Sequence, residues 1–164
     1  MISQALQDTL QPFLPAGIPW ESVELRVGRI RTVDAMIPSA VIPRSVISVT
    51  QRDADRGLLT VGQSFDGVVV LDRRYAKMDT ASGVALLGHE LVHQEQYETI
   101  DNFAFLYDVE ARNTPDDDPF ANRYELPAYR AERAIYCSLV AQGWRPGSWV
   151  PLSVLEWGCP NYRV

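Results

Sequence analysis

Thr80-Ala81-Ser82-Gly83-Val84-Ala85-Leu86-Leu87-Gly88-His89-Glu90-Leu91-Val92-His93-Gln94 is the stretch on which the fold turns. Asp79, Thr80 or Ser82 can cap the start of a helix, and the apolar run behind them keeps a 3.6-residue period through Leu87, Leu91 and the methylenes of Gln94. Val84, Ala85 and Val92 widen that stripe, so the helix is expected to be largely buried. The only two histidines of the chain, His89 and His93, stand in its second half. Four residues apart on a helix, they lie on one face one turn apart, and both imidazoles can reach a single metal ion. Glu90 projects beside that point instead of onto it. Gly88 is a poor helix former, and its expected use is the close approach of another backbone.

Residues 89–93 thus read HExxH, a spacing with a specific chemistry. A zinc ion held by His89 and His93 lowers the pKa of a bound water towards about 7, and Glu90 stands where a general base would take its proton. A buried helix carrying two histidines and a glutamate needs partners for those groups, and a metal supplies them; the alternative is an unmetallated pair on an exposed helix. A catalytic zinc site needs a third protein ligand, and with no histidine left it must be Asp, Glu or Cys. Glu125, in Asn122-Arg123-Tyr124-Glu125-Leu126-Pro127-Ala128-Tyr129, is the expected third ligand, and small Ala128 would let its helix pack closely on the first. Glu132, seven residues on and on roughly the same face, is the rival, or else an acceptor that orients a ligand histidine. Pro127 fits only if it lies in the helix's first turn.

The remaining composition bounds the function classes. With 164 residues and 46% hydrophobic residues, the chain is expected to form a single domain over residues 1–164 with a real core. A formal net charge of -6 and a pI near 4.9 exclude nucleic acid and anionic membrane as main partners, since both need a basic surface. Gln4, Gln7 and Asp8 break the run a signal peptide would need, and no stretch reaches the roughly 18 apolar residues of a membrane span. The expectation is a cytoplasmic protein, or one exported without a cleavable signal. Cys137 and Cys159 can pair and tie the last helix to the tail, but free buried thiols are expected in an intracellular chain. Asp116-Asp117-Asp118 lacks the spacing of a calcium loop and reads as a solvated acidic turn.

Along the chain, strands come first and helices second. Residues 3–13 suit a short amphipathic helix closed by Pro12 and Pro15. Val23, Leu25 and Val27 alternate with Glu24 and Arg26 as in a half-buried strand. Residues 46–49 and 58–61 suggest a hairpin around a polar turn, and Gly67-Val68-Val69-Val70-Leu71 is apolar enough to be a strand buried on both faces. Residues 102–110 and 128–142 read as helices, the second ended by Gly143. Trp144, Trp149 and Trp157 in the tail are expected to cover the core more than to line a cleft.

Leu86-Leu87-Gly88-His89-Glu90-Leu91-Val92-His93-Gln94-Glu95-Gln96-Tyr97 followed by residues 122–129 resembles small bacterial gluzincin-type zinc metallopeptidase domains. Those domains read L-x-H-E-x-x-H-x-x-Q and then N-P-x-E-x-x-A on a second helix, and the likeness spans residues 64–143. Arg123 and Tyr124 replace the pattern's proline and aromatic, and Tyr129 stands where many of these domains place an aspartate. The resemblance implies an α+β, zincin-like fold: a small N-terminal sheet, mainly antiparallel or mixed, packed on the HExxH helix and a second ligand-bearing helix. It implies a Zn2+ cofactor on His89, His93 and Glu125, Glu90 as base, and a peptide or protein substrate. For the oxyanion donor, Tyr129, Tyr136, Tyr97, Arg130 and Arg133 stay open, with Tyr129 favoured for its closeness to Glu125. Relatives of this kind occur in bacterial effector and contractile-injection-associated proteins, which brings in an immunity or carrier protein as a partner. The alternative is a non-catalytic zincin-like binding or targeting module.

Overall fold

A computed structural model describes residues 1–28, 61–115 and 118–160. It is α+β. In chain order the elements are α1 (Gln4–Leu10), a 3-10 turn (Gln11–Phe13), β1 (Glu24–Gly28), β2 (Gly62–Phe65), β3 (Val68–Asp72), α2 (Ala81–Thr99), α3 (Phe103–Asn113), a 3-10 turn (Pro119–Ala121), α4 (Glu125–Ala141) and α5 (Leu152–Trp157).

Apolar Val68 to Leu71 make β3 the centre of a mixed three-stranded sheet of order β1-β3-β2, and every residue of β3 is buried. β1 runs parallel to it, pairing Leu25 with Val69, and β2 runs antiparallel, pairing Ser64 with Val69. A two-residue turn, Asp66-Gly67, joins β2 to β3, with Gly67 at φ +73. Buried Gln94 of α2 clamps that turn: its amide donates to the carbonyls of Phe65 and Val68 at 2.7 and 3.2 Å and accepts the Gly67 N–H at 3.0 Å. Gln94 therefore ties the sheet to α2 through polar atoms as well as through its methylenes. In β1 the alternation predicts Val27 inward, but it is 50% exposed. Among the described residues β1 is an edge strand, so its far end is covered on one side only. The expected hairpin of residues 46–49 and 58–61 falls largely outside the described residues; Val61 is described and lies just before β2.

Thr80 caps α2, its hydroxyl accepting the Gly83 N–H, while the N–H groups of Ala81 and Ser82 donate to the carbonyls of Arg145 and Pro146. The tail after α4 thus completes a helix start that would otherwise leave buried donors unpaired. Burial of α2 is nearly continuous from Ala81 to Gln94. It packs on the sheet and on α4, and Val84, Leu87, Leu91, Ile135 and Leu139 form the middle of the core. Gly88 makes room for a side chain and not, as the sequence suggested, for another backbone: a Cβ there would lie 2.2 Å from Ile135 Cδ1 of α4 and 3.3 Å from Leu10 Cδ2 of α1.

α4 begins three residues earlier than its periodicity suggests. Asn122 Oδ1 accepts the N–H groups of Tyr124 and Glu125 at 2.9 and 3.2 Å, which puts Pro127 in the first turn, where its missing N–H is harmless. Cys137 and Cys159 are joined by a disulfide with a Cα–Cα distance of 5.5 Å, in place of the free thiols expected. Trp144 and Trp149 pack on the core as anticipated. Trp157 instead packs on Phe120, ring centroids 4.5 Å apart, at the edge of the site described next. Among the described residues, no helix is long and apolar enough to cross a membrane.

Candidate metal centre

The core-facing stripe of α2 continues into its polar second half, which points at the first turn of α4. His89 Nε2 lies 3.1 Å and His93 Nε2 3.5 Å from one oxygen, Oε2, of Glu125. One ligand atom from each of these three side chains falls within 4.8 Å of the other two, and both histidines are buried. The helical spacing of the histidines and the capped start of α4 therefore bring two imidazoles and a carboxylate to one point.

Each of these side chains rests on another. For His93 the support is Gln96, one turn on: its Nε2 donates to the Tyr124 carbonyl at 2.9 Å, which turns its oxygen to His93 Nδ1 at 2.8 Å. Nδ1 then carries the ring proton and Nε2 keeps its lone pair for a ligand role. His89 Nδ1 is buried with no hydrogen bond among the described residues, and faces Glu132 Oε1 at 3.9 Å. Glu132 is fixed by the hydroxyl of fully buried Ser153 of α5, which donates to its other oxygen at 2.7 Å. Glu132 thus stands behind His89 as a nearby charge without a hydrogen bond to it, while Glu125 is the glutamate that joins the two histidines in a group able to hold a metal. Glu125 Oε1 accepts the hydroxyl of Tyr107, from α3.

Glu90 lies on the other side, against the sheet. Ser64 Oγ of β2 is 2.7 Å from the Glu90 carbonyl and 2.9 Å from its Oε2. A side chain on Gly62 would collide with this carboxylate, its Cβ falling 2.5 Å from Oε1, so the glycine is the space in which Glu90 sits.

Charge in this cluster is strongly shifted. Burial alone would lower the His89 pKa, but the hydrogen bond to Glu125 and the charges of Glu125, Glu132 and Glu90 outweigh it and raise the pKa to about 9. His93 is raised too, Glu125 overcoming burial. Burial opposes ionisation of Glu125, yet His93 and His89 hold its carboxyl well below the usual range. For Glu90 and Glu132, burial prevails and the pKa rises. Two buried glutamates, Glu90 and Glu132, and the half-buried Glu125 facing two imidazoles form a site that draws positive charge, and with both imidazoles neutral a divalent cation would supply it. Two nitrogens and one oxygen that converge in this way form a group able to hold a metal ion, with Gln96 behind His93 and Tyr107 behind Glu125.

Of the five side chains considered for an oxyanion donor, Tyr129 alone has a ring against the cluster, edge-on to His89 with centroids 4.9 Å apart. Tyr136 belongs to the core, and Tyr97 packs edge-on to Phe103. Arg133 donates to the carbonyls of Gly158 and Trp157, and Arg130 is exposed. A ladder of rings leads outward from His89 through Tyr129 and Phe120 to Trp157. Sequence reasoning missed Tyr107, Ser64, Gly62 and Asn122. For Asn122 a signal existed, since an Asn three residues before Glu125 is spaced as a helix cap; for Tyr107 the only hint was the Phe103/Tyr107 spacing of four on one helix face.

Comparison with known proteins finds no matching family model, no matching curated protein and no matching solved structure.

Proposed function

We propose that this protein is a zinc-dependent hydrolase of zincin-like fold, a metallopeptidase that cleaves peptide bonds. The observation that carries the reading is the convergence of His89 Nε2 and His93 Nε2 on Glu125 Oε2, with a buried glutamate next in sequence to His89 and held apart on Ser64. Bound by these three side chains, a zinc ion would supply Lewis acidity towards a carbonyl and an acidified water.

The chain's own residues do the rest. Glu90 takes the proton of the attacking water and passes it to the leaving nitrogen, a task for which burial has raised its basicity above that of an ordinary carboxylate. Ser64, whose single O–H is shared between the Glu90 carbonyl and Oε2, anchors this carboxyl beside the sheet. Tyr129, beside His89, donates a hydrogen bond to the oxyanion as the carbonyl becomes tetrahedral. Gln96 holds the His93 imidazole in orientation, Glu132 places its carboxyl 3.9 Å behind His89, and β2, an edge strand among the described residues, offers backbone groups along which an extended peptide can lie.

A purely structural metal site needs no base, and Glu90→Gln separates the two cases. The variant should keep its fold and bound zinc while hydrolysis of a casein or mixed-peptide substrate falls by at least about 10²-fold. Hydrolysis at the unsubstituted rate would remove Glu90 from the mechanism. Intact zinc with no hydrolysis in either protein would favour a binding module.

A further inference from the structure

Glu125 is the first residue of α4, and Asn122 fixes only its backbone. What fixes its carboxylate comes from a different helix. Tyr107, on α3, contributes no ligand atom, yet its hydroxyl donates to Glu125 Oε1, and its ring stands edge-on to His93 with centroids 5.8 Å apart. The same ring packs on Phe103, which stacks on His93 at 6.3 Å, so the tyrosine is held on both sides. The two oxygens of Glu125 consequently have separate tasks: Oε1 is taken by Tyr107, and Oε2 alone faces the two imidazoles.

We propose that Tyr107 is a positioning residue for the metal, which by occupying Glu125 Oε1 makes this carboxylate a one-oxygen ligand and holds it at the point where both histidines converge. The proposal rests on the metal-site reading above. A carboxylate that could swing or offer both oxygens would bind an ion less well and would crowd the position a water needs; a donor on Oε1 prevents both. Tyr107 thus does for Glu125 what Gln96 does for His93, and it makes α3 a part of the site although no ligand comes from it.

The test is Tyr107→Phe, which keeps the ring and removes the hydroxyl. Zinc affinity is measured by competition with a chromophoric chelator, the visible spectrum is recorded on the cobalt-loaded protein, and the fold is followed by circular dichroism and thermal unfolding. The same substitution is made in a Glu125→Gln background. Expected are an unchanged fold, zinc binding about 10- to 100-fold weaker, a weaker cobalt band as the coordination number rises, and no further loss when Tyr107→Phe is added to Glu125→Gln. Unchanged affinity and spectrum in Tyr107→Phe, losses that add in the double variant, or an unfolded single variant would each overturn the proposal by showing a packing role or none. Absence of zinc uptake by the unsubstituted protein would overturn the metal-site reading as well, whereas uptake that Tyr107→Phe leaves intact would overturn the role of Tyr107 alone.

Discussion

Replacing Gly62 by alanine puts a methyl carbon 2.5 Å from Oε1 of Glu90, 3.0 Å from its Cδ and 3.1 Å from its Cγ. Ordinary contact begins at 3.4 Å, so the carboxylate must retreat by about 0.9 Å (3.4 minus 2.5). Retreat is the cheap response, because the atom in the way is the end of a side chain and not backbone. Ser64, 2.9 Å from the other oxygen, resists the movement, and straining that one hydrogen bond costs about 1 kcal/mol. Alanine is more rigid than glycine in the unfolded chain and returns roughly 0.5–1 kcal/mol. Global stability should therefore barely change. The general base, in contrast, sits nearly 1 Å out of place, and a misplacement of that size lowers a rate by about 10²-fold. The assay compares peptide hydrolysis, zinc content and thermal midpoint of Gly62→Ala with those of the unsubstituted protein. Hydrolysis about a hundredfold slower at equal zinc and a similar midpoint is expected. Full activity would refute the reasoning that Gly62 sets the position of Glu90; loss of zinc would show that the glycine supports the metal ligands instead.

Three further predictions concern protonation and the covalent frame. Ser64 lowers the pKa of Glu90 against the upward push of burial, so Ser64→Ala should move the acid limb of the rate profile to higher pH, and an unmoved limb would show that the hydroxyl does not act on the base. His89 titrates near 9 in the folded metal-free protein against 6.5 when unperturbed, so its contribution to stability is full below pH 6.5 and is lost as pH rises through about 9. The thermal midpoint of metal-free protein should fall across that window while zinc affinity rises, because the ion needs neutral imidazole; affinity that is flat in pH would contradict this. Reduction of Cys137–Cys159, which closes a 22-residue separation, should lower unfolding free energy by about 3 kcal/mol in urea titrations with and without reductant, and coincident curves would show the crosslink to be energetically idle.

What the sequence revealed followed from periodicity and spacing. α2 was readable because a cap at Thr80, an apolar period and two histidines four apart all point to one helix, and β3 because four apolar residues in a row need cover on both faces. The lack of a third histidine left Asp, Glu or Cys open; Glu125 was preferred to Glu132 for its place at a helix start, and it is Glu125 that lies with the two histidines. β2 was not. Gln63 and Ser64 are not strand formers, and they are strand here because they pair with β3 and because Ser64 finds its partner in Glu90, a long-range fact; the Asp66-Gly67 turn was the local clue. Val27, expected inward from its alternation, is half exposed on a strand that has β3 as its one partner among the described residues. Tyr107 and Ser153 could not be foreseen, since each acts on its glutamate across a separation of 18 or more residues, and neither spacing has a meaning until the helices are packed. The tail divided its tryptophans between core and site for the same reason.

The central claim is that His89, His93 and Glu125 hold a metal. Elemental analysis of protein purified without added metal or chelator, in parallel with Glu125→Ala, tests it most directly. About one zinc per chain, lost in the variant while the fold persists, is the predicted result. No zinc in the purified protein and none taken up when it is supplied would contradict the account and leave His89, His93 and Glu125 as a buried ionic cluster alone.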